Sequence, residues 1–196
     1  MKKWLSSLLC LFLLLNCCAV FAEQAEGSAE PPETDRFIFR DGVRWGMSEE
    51  EVIALEGEEK NRNVESGFSA LLYENVEVSK YRGMLGYAFL RDQLVFSAYG
   101  IEDADEEMFA YLKTALEAVY GNESEESAKE LIPALNLLTG KDFNAENLWR
   151  LPLVIWKAAG DTRICLILDG DLLMVLYVSP DFSDLLRPEE INTTGL

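Results

Sequence analysis

"ICLILDGDLLMVLYV", Ile164 to Val178, is apolar at both parities on either side of a single turn. Successive side chains of a strand point to opposite faces, so a strand that is apolar at every position is covered on both. Asp169-Gly170 between the two runs is a two-residue hairpin signal. The stretch therefore predicts an antiparallel hairpin inside a sheet. One of its faces lies under helices, the other under a neighbouring segment, a second subunit or a bound partner. Leu173, Val175 and Tyr177, on one parity of the second strand, are the candidate partner surface. A buried central strand is expected ahead of an interface strand.

Working outward, Leu153 to Lys157 precedes this hairpin as another β run. Earlier in the chain, Ser69 to Val78, Leu85 to Leu90 and Leu94 to Tyr99 read as strands, the last two joined at Arg91-Asp92-Gln93. Gly86 and Ser97 relieve the second face of that earlier hairpin, which places it nearer the sheet edge. Met108, Tyr111, Leu112, Ala115 and Val119 recur at helical spacing, so a helix is expected from about Asp103 to Gly121. Ser124 to Leu138 has helical spacing too, but Pro133 interrupts its hydrogen-bond ladder and predicts two pieces or a kink. Lys141 to Arg150 reads as a polar connection. Sliding the sequence by 78 residues superposes Leu94 on Leu172 and Tyr99 on Tyr177. The expected class is α+β: an antiparallel sheet with helices mainly on one face, built from two related helix-plus-three-strand halves.

The first helix is written in Trp45 to Gly57, "WGMSEEEVIALEG". Ser48 and Glu51 form a capping box, and Met47 with Val52 a hydrophobic staple. Glu49, Glu50 and Glu51 crowd the first turn, where the helix dipole favours acids, and Gly57 is the stop. Val52, Ile53 and Leu55 are expected to face inward and the glutamates to be solvated. At the level of pattern, this Trp-Gly-Met-Ser-Glu-Glu-Glu-Val start before several antiparallel strands resembles exported modules of the β-lactamase inhibitory protein and outer-membrane assembly lipoprotein type. The likeness implies helices on one face of a small antiparallel sheet, sometimes in tandem, and binding of protein partners by a sheet face. The extra segment from Ser124 to Leu138 and the double-sided hairpin depart from that pattern, and the likeness assigns no functional residue.

Lys2-Lys3, the apolar Leu8 to Leu15 and Val20-Phe21-Ala22 read as a secretory signal peptide over 1–22, cleaved after Ala22. Asn16-Cys17 makes a lipoprotein anchored at Cys17 the alternative. Residues 23–36, EQAEGSAEPPETDR, contain nothing apolar larger than proline and are expected to be a flexible acidic linker. A single domain over 37–183 and a tail over 184–196 complete the organisation, with no transmembrane span in the mature chain.

Chemistry is bounded mainly by what the sequence lacks. The net charge is −18, and 1–22 carries two lysines and no acid, so the remainder stands at −20. Such a chain is unsuited to nucleic acid. With no histidine, the usual general base and zinc ligands are missing. Cys165 is the one cysteine outside the signal segment and is expected to be a buried, inert thiol. Asp169-Gly170-Asp171 is explained by its turn and lacks the alternating oxygen ligands of a calcium loop. No catalytic, cofactor-binding or metal-binding residues are assigned, and no cofactor is expected. The expected function is an exported, non-enzymatic module that binds a protein or envelope component. The alternatives are a carboxylate-dependent hydrolase of wall or dietary polymers, and a protein that self-associates through its C-terminal hairpin.

Overall fold

The computed structural model describes residues 37–65, 68–125, 128–139 and 141–185, so the expected signal segment, the linker, Cys17 and the end of the tail lie outside it. The described chain forms seven strands: β1 (Asn61–Glu65), β2 (Phe68–Val78), β3 (Tyr81–Leu90), β4 (Gln93–Ile101), β5 (Leu153–Lys157), β6 (Arg163–Asp169) and β7 (Leu172–Val178). They make one sheet in the order β1-β2-β3-β4-β7-β6-β5, and every neighbouring pair is antiparallel. The expected α+β class with an antiparallel sheet is what the chain adopts. β1 escaped the pattern reading because Asn-Arg-Asn-Val-Glu has no apolar alternation; it forms because β2 offers it a free edge. The two hairpin turns expected from sequence are Arg91-Asp92, both at positive φ, and Gly170-Asp171, one residue later than expected; β2 and β3 are joined by a further one at Ser79-Lys80.

The first helix, α1 (Glu49–Glu56), starts as its sequence dictates. The Ser48 amide donates to Glu51 Oε2 (2.8 Å), the Glu51 amide donates to Ser48 Oγ (3.3 Å), and Gly57 ends the helix at φ 91°. Val52 is buried and shares a cluster with Met47, Leu71, Leu85 and Tyr87. Two expectations fail here. Leu55 is 44% exposed, and Glu49, expected in solvent, is only 8% exposed. The helix is tilted so that its first turn enters the sheet, where the Ser69 hydroxyl and the Arg62 guanidinium hold the Glu49 carboxylate.

The second helix, α2 (Glu106–Tyr120), is capped by Asp105, whose Oδ1 accepts the Met108 amide at 2.9 Å. Asp103, the expected start, instead sits at φ 53°. Leu112 and Leu116 are the buried positions, each contributing about 1.5–3 kcal/mol by leaving water. Val119, expected inside, is 70% exposed.

Between α2 and β5, a 3₁₀ turn (Ala128–Leu131) runs into α3 (Ile132–Thr139). Pro133 therefore falls in the first turn of α3, where its missing N–H breaks no helical bond. The polar stretch 141–150 contains a short helix, α4 (Ala145–Leu148), capped by Asn144. Asn136 ties the two together: its Oδ1 accepts the Phe143 amide (2.7 Å) and its Nδ2 donates to the Phe143 carbonyl (3.0 Å). The last element is α5 (Phe182–Leu185), in which Phe182 packs on Phe96 with ring centroids 4.2 Å apart.

Register relates the two halves by a local twofold axis through the β4–β7 pair, although the first half has four strands where three were expected and the second has three. The 78-residue offset that superposes Tyr99 on Tyr177 also superposes Ala98 on Leu176, and those two residues are each other's register partners. Each half is a meander of antiparallel strands, and the halves meet where β4 pairs with β7. Tyr87, Ser97, Tyr177 and Ile164 lie in one transverse row, so α1 over β3 and α2 over β6 cover the same face, as expected. Residues 128–148 and α5 depart from this arrangement by covering the opposite face, mainly over the second half: Leu131, Ala134, Leu135, Leu148 and Phe182 bury Cys165, Ile155 and Leu176, and the cover reaches the first half at Ala88 and Phe96.

Both faces of the Ile164 to Val178 hairpin are thus covered by the chain itself. Leu173, Val175 and Tyr177 lie beneath α2 and Phe37, and all three are buried. They form core rather than a partner surface. The earlier hairpin is central too, not nearer the edge, since β4 lies directly against β7.

Candidate functional site

On the α3 face, register partners give one row of residues across the whole sheet: Asn61, Leu72, Gly86, Ala98, Leu176, Cys165 and Ile155. Its Cys165 end is buried by 128–148. At its Gly86 end the described chain leaves a trough of about 340 Å³. Ala70, Gly86, Ala98 and Gly100 form its floor, Leu72, Met84 and Met174 flank them, Leu135 of α3 closes one end, and Asn61 and Asn63 of β1 form the rim at the other. Because the trough spans β1, β2, β3, β4 and β7, strand spacing makes it about 19 Å long.

Small residues hold that space open. Among the described residues, no atom lies within 4 Å of where a Gly86 Cβ would stand, and Gly86 is not at positive φ. Neither backbone conformation nor crowding requires glycine here, although a glycine inside a strand costs about 0.5–1 kcal/mol relative to alanine. Gly83, three residues earlier, differs: a Cβ there would collide with the Gly100 carbonyl oxygen. One glycine is needed for a close backbone approach, and the other leaves a hole.

The trough offers binding rather than proton transfer. Its lining contains the amides of Asn61 and Asn63 and no carboxylate, lysine or arginine. Arg40, Glu56, Tyr73 and Tyr87 lie on the opposite face, where they brace the fold. Arg40 Nε contacts Glu56 Oε1 at 3.2 Å, the Tyr87 hydroxyl donates to the same oxygen, and the Tyr73 hydroxyl donates to the Gly57 carbonyl at 3.1 Å. Burial, followed by Glu56, raises the Tyr87 phenol far above its ordinary value; burial, then Glu56 and Glu59, pushes Tyr73 up to about 12. These bonds fasten residues 37–47 and the end of α1 to the sheet. On the same face, a hollow of about 320 Å³ beside α2 is lined by Tyr99, Tyr120 and Tyr177. Tyr120 and Tyr177 hydrogen-bond each other there.

The remaining residues singled out from sequence occupy structural places. Cys165 is fully buried, and burial pushes its thiol up to about 12. Trp45 stacks on Phe37 and donates from Nε1 to Thr162 Oγ1 at 2.8 Å. Trp156 lies in the core, whereas Trp149 is 76% exposed. Asp169 of the candidate calcium turn pairs with Lys141. Among the described residues no group of three or more acids or cysteines is placed to hold a metal ion, and no helix is long and apolar enough to cross a membrane. Sequence reading missed the trough. Its trace in the sequence is Gly86, a residue that reads equally as the mark of a peripheral strand.

Compared with known proteins, the chain matches no family model, no curated protein and no solved structure.

Proposed function

We propose that the chain is a non-enzymatic binding module of the cell envelope or extracellular space, and that the trough over Gly86 and Ala98 receives an apolar segment of a partner. The observation that carries this reading is the empty space above Gly86. A central strand gives up side-chain packing at this point without any steric need. Among the described residues the lining has no carboxylate, lysine or arginine, which favours binding over carboxylate hydrolysis. The compartment follows from reading 1–22 as an export signal.

Site-specific photocrosslinking tests it. A photoreactive residue replacing Asn63, at the mouth of the trough, should give a discrete adduct in envelope or secreted fractions, and one replacing Val119 on the α2 face should not. Equal labelling from both positions would remove the trough as the site. An adduct of twice the chain's own mass would replace partner binding by self-association. Turnover of a wall polysaccharide, abolished by changing one carboxylate, would replace it by hydrolysis.

A further inference from the structure

We infer that the trough is built for a short amphipathic helix with a basic polar face, supplied by a partner protein. This inference rests on the binding reading above and names the occupant.

The twofold relation carries the first part of the argument. It maps Gly86 to Cys165, Leu72 to Ile155 and Ala98 to Leu176, so the trough and the surface buried by 128–148 are equivalent places on one sheet. In the second half, the equivalent place is filled by helix. Ala128 lies beside Leu153 of β5, while Leu135 reaches the trough beside Leu172 and Met174, so the 128–139 segment crosses the strands rather than following them. The trough continues along that same transverse direction. Its length of about 19 Å matches about 13 residues of α-helix, and its Gly and Ala floor allows a helix to approach closely. An antiparallel sheet face that meets a helix crosswise in one half offers the same solution in the other.

Charge selects the kind of helix. Along the side of the trough toward the carboxyl ends of β2 and β4, Glu74 stands two positions beyond Leu72 and Glu102 two beyond Gly100, with Asp103 and Asp171 in the adjoining turns. All four are exposed. Of the cations nearby, Arg82 faces Glu77 at 3.8 Å, Lys141 pairs with Asp169 and Lys80 lies 3.8 Å from the centre of the Tyr111 ring, while Lys60 stands exposed beside Asn61. On a chain of net charge −18, this mouth favours lysine or arginine on the exposed side of the occupant and disfavours an acidic one.

The test is selection of a displayed random library of about 16-residue peptides on the full chain, with counter-selection on Gly86→Leu. Ala98→Val serves as a second blocking variant should the first melt early. The expected winners carry Leu or Ala at positions i, i+3, i+4 and i+7 and Lys or Arg between them. A synthetic winner should gain helical circular dichroism on binding. It should lose about tenfold or more in affinity to either blocking variant, and weaken with added salt and with Glu102→Lys. Winners with a two-residue apolar period and no helical gain would overturn the helix and leave the binding reading intact, as would saturable binding of dodecyl maltoside with no peptide enriched. Absence of any ligand that Gly86→Leu displaces would overturn both.

Discussion

Gly86 and Cys165 occupy the same place in the two halves of the sheet. Each is the outer neighbour of the central Ala98–Leu176 pair, yet Cys165 is fully buried beneath 128–148 and Gly86 has empty space where its side chain would be. The asymmetry arises from one inserted helical segment. It separates a core position from the proposed binding position in otherwise equivalent surroundings.

The two nearby glycines should therefore respond oppositely to alanine. Gly86→Ala should leave stability unchanged or raise it by about 0.5–1 kcal/mol, because only the entropic cost of glycine is removed. Gly83→Ala should cost about 1–3 kcal/mol, since its Cβ meets the Gly100 carbonyl. Denaturant titration of both variants checks this. Equal losses would mean that the trough is closed in solution.

Ser48→Ala removes a cap whose two hydrogen bonds are in place and should cost about 1 kcal/mol. Val52→Ala should cost about 2 kcal/mol, from two lost methyl groups plus the cavity beneath α1. Neither should change ligand binding at the trough, which lies on the other face. A binding defect in folded Ser48→Ala protein would show that the capping motif belongs to a site.

Val175→Asp or Leu173→Asp puts an unpaired charge beneath α2 and should cost several kcal/mol. Early thermal melting is the expected result. A normal melt accompanied by a change in sedimentation would restore the hairpin as an intermolecular surface.

Alkali should unfold the protein through its buried phenols. Tyr73, Tyr87 and Tyr177 are all raised by burial, so the folded state keeps protons that the unfolded chain gives up above the ordinary phenol value of about 10. Their contribution is whole below that value and is lost as pH climbs, for Tyr73 between about 10 and about 12. Phenolate absorbance followed alongside circular dichroism should show these rings ionising together with unfolding. Ionisation at ordinary phenol values in folded protein would remove the burial argument.

Local chemistry was legible in the sequence. The Ser48–Glu51 box, the Gly57 stop, the run Leu153 to Lys157 and the double-sided hairpin all follow from rules acting within a few residues, and each stands in the structure. Both-parity apolarity announced that β6 and β7 are covered twice, but periodicity reports only a strand's own side chains and not what lies on them. Tertiary structure decided that the cover is α2 on one face and 128–148 on the other, that a strand without apolar alternation completes the edge, and that Glu49 turns inward to Ser69 and Arg62. It also decided the meaning of Gly86. A glycine in a strand reads the same whether it marks an edge, a close approach or a hole, because the difference lies in atoms supplied by distant segments, and here the described residues supply none.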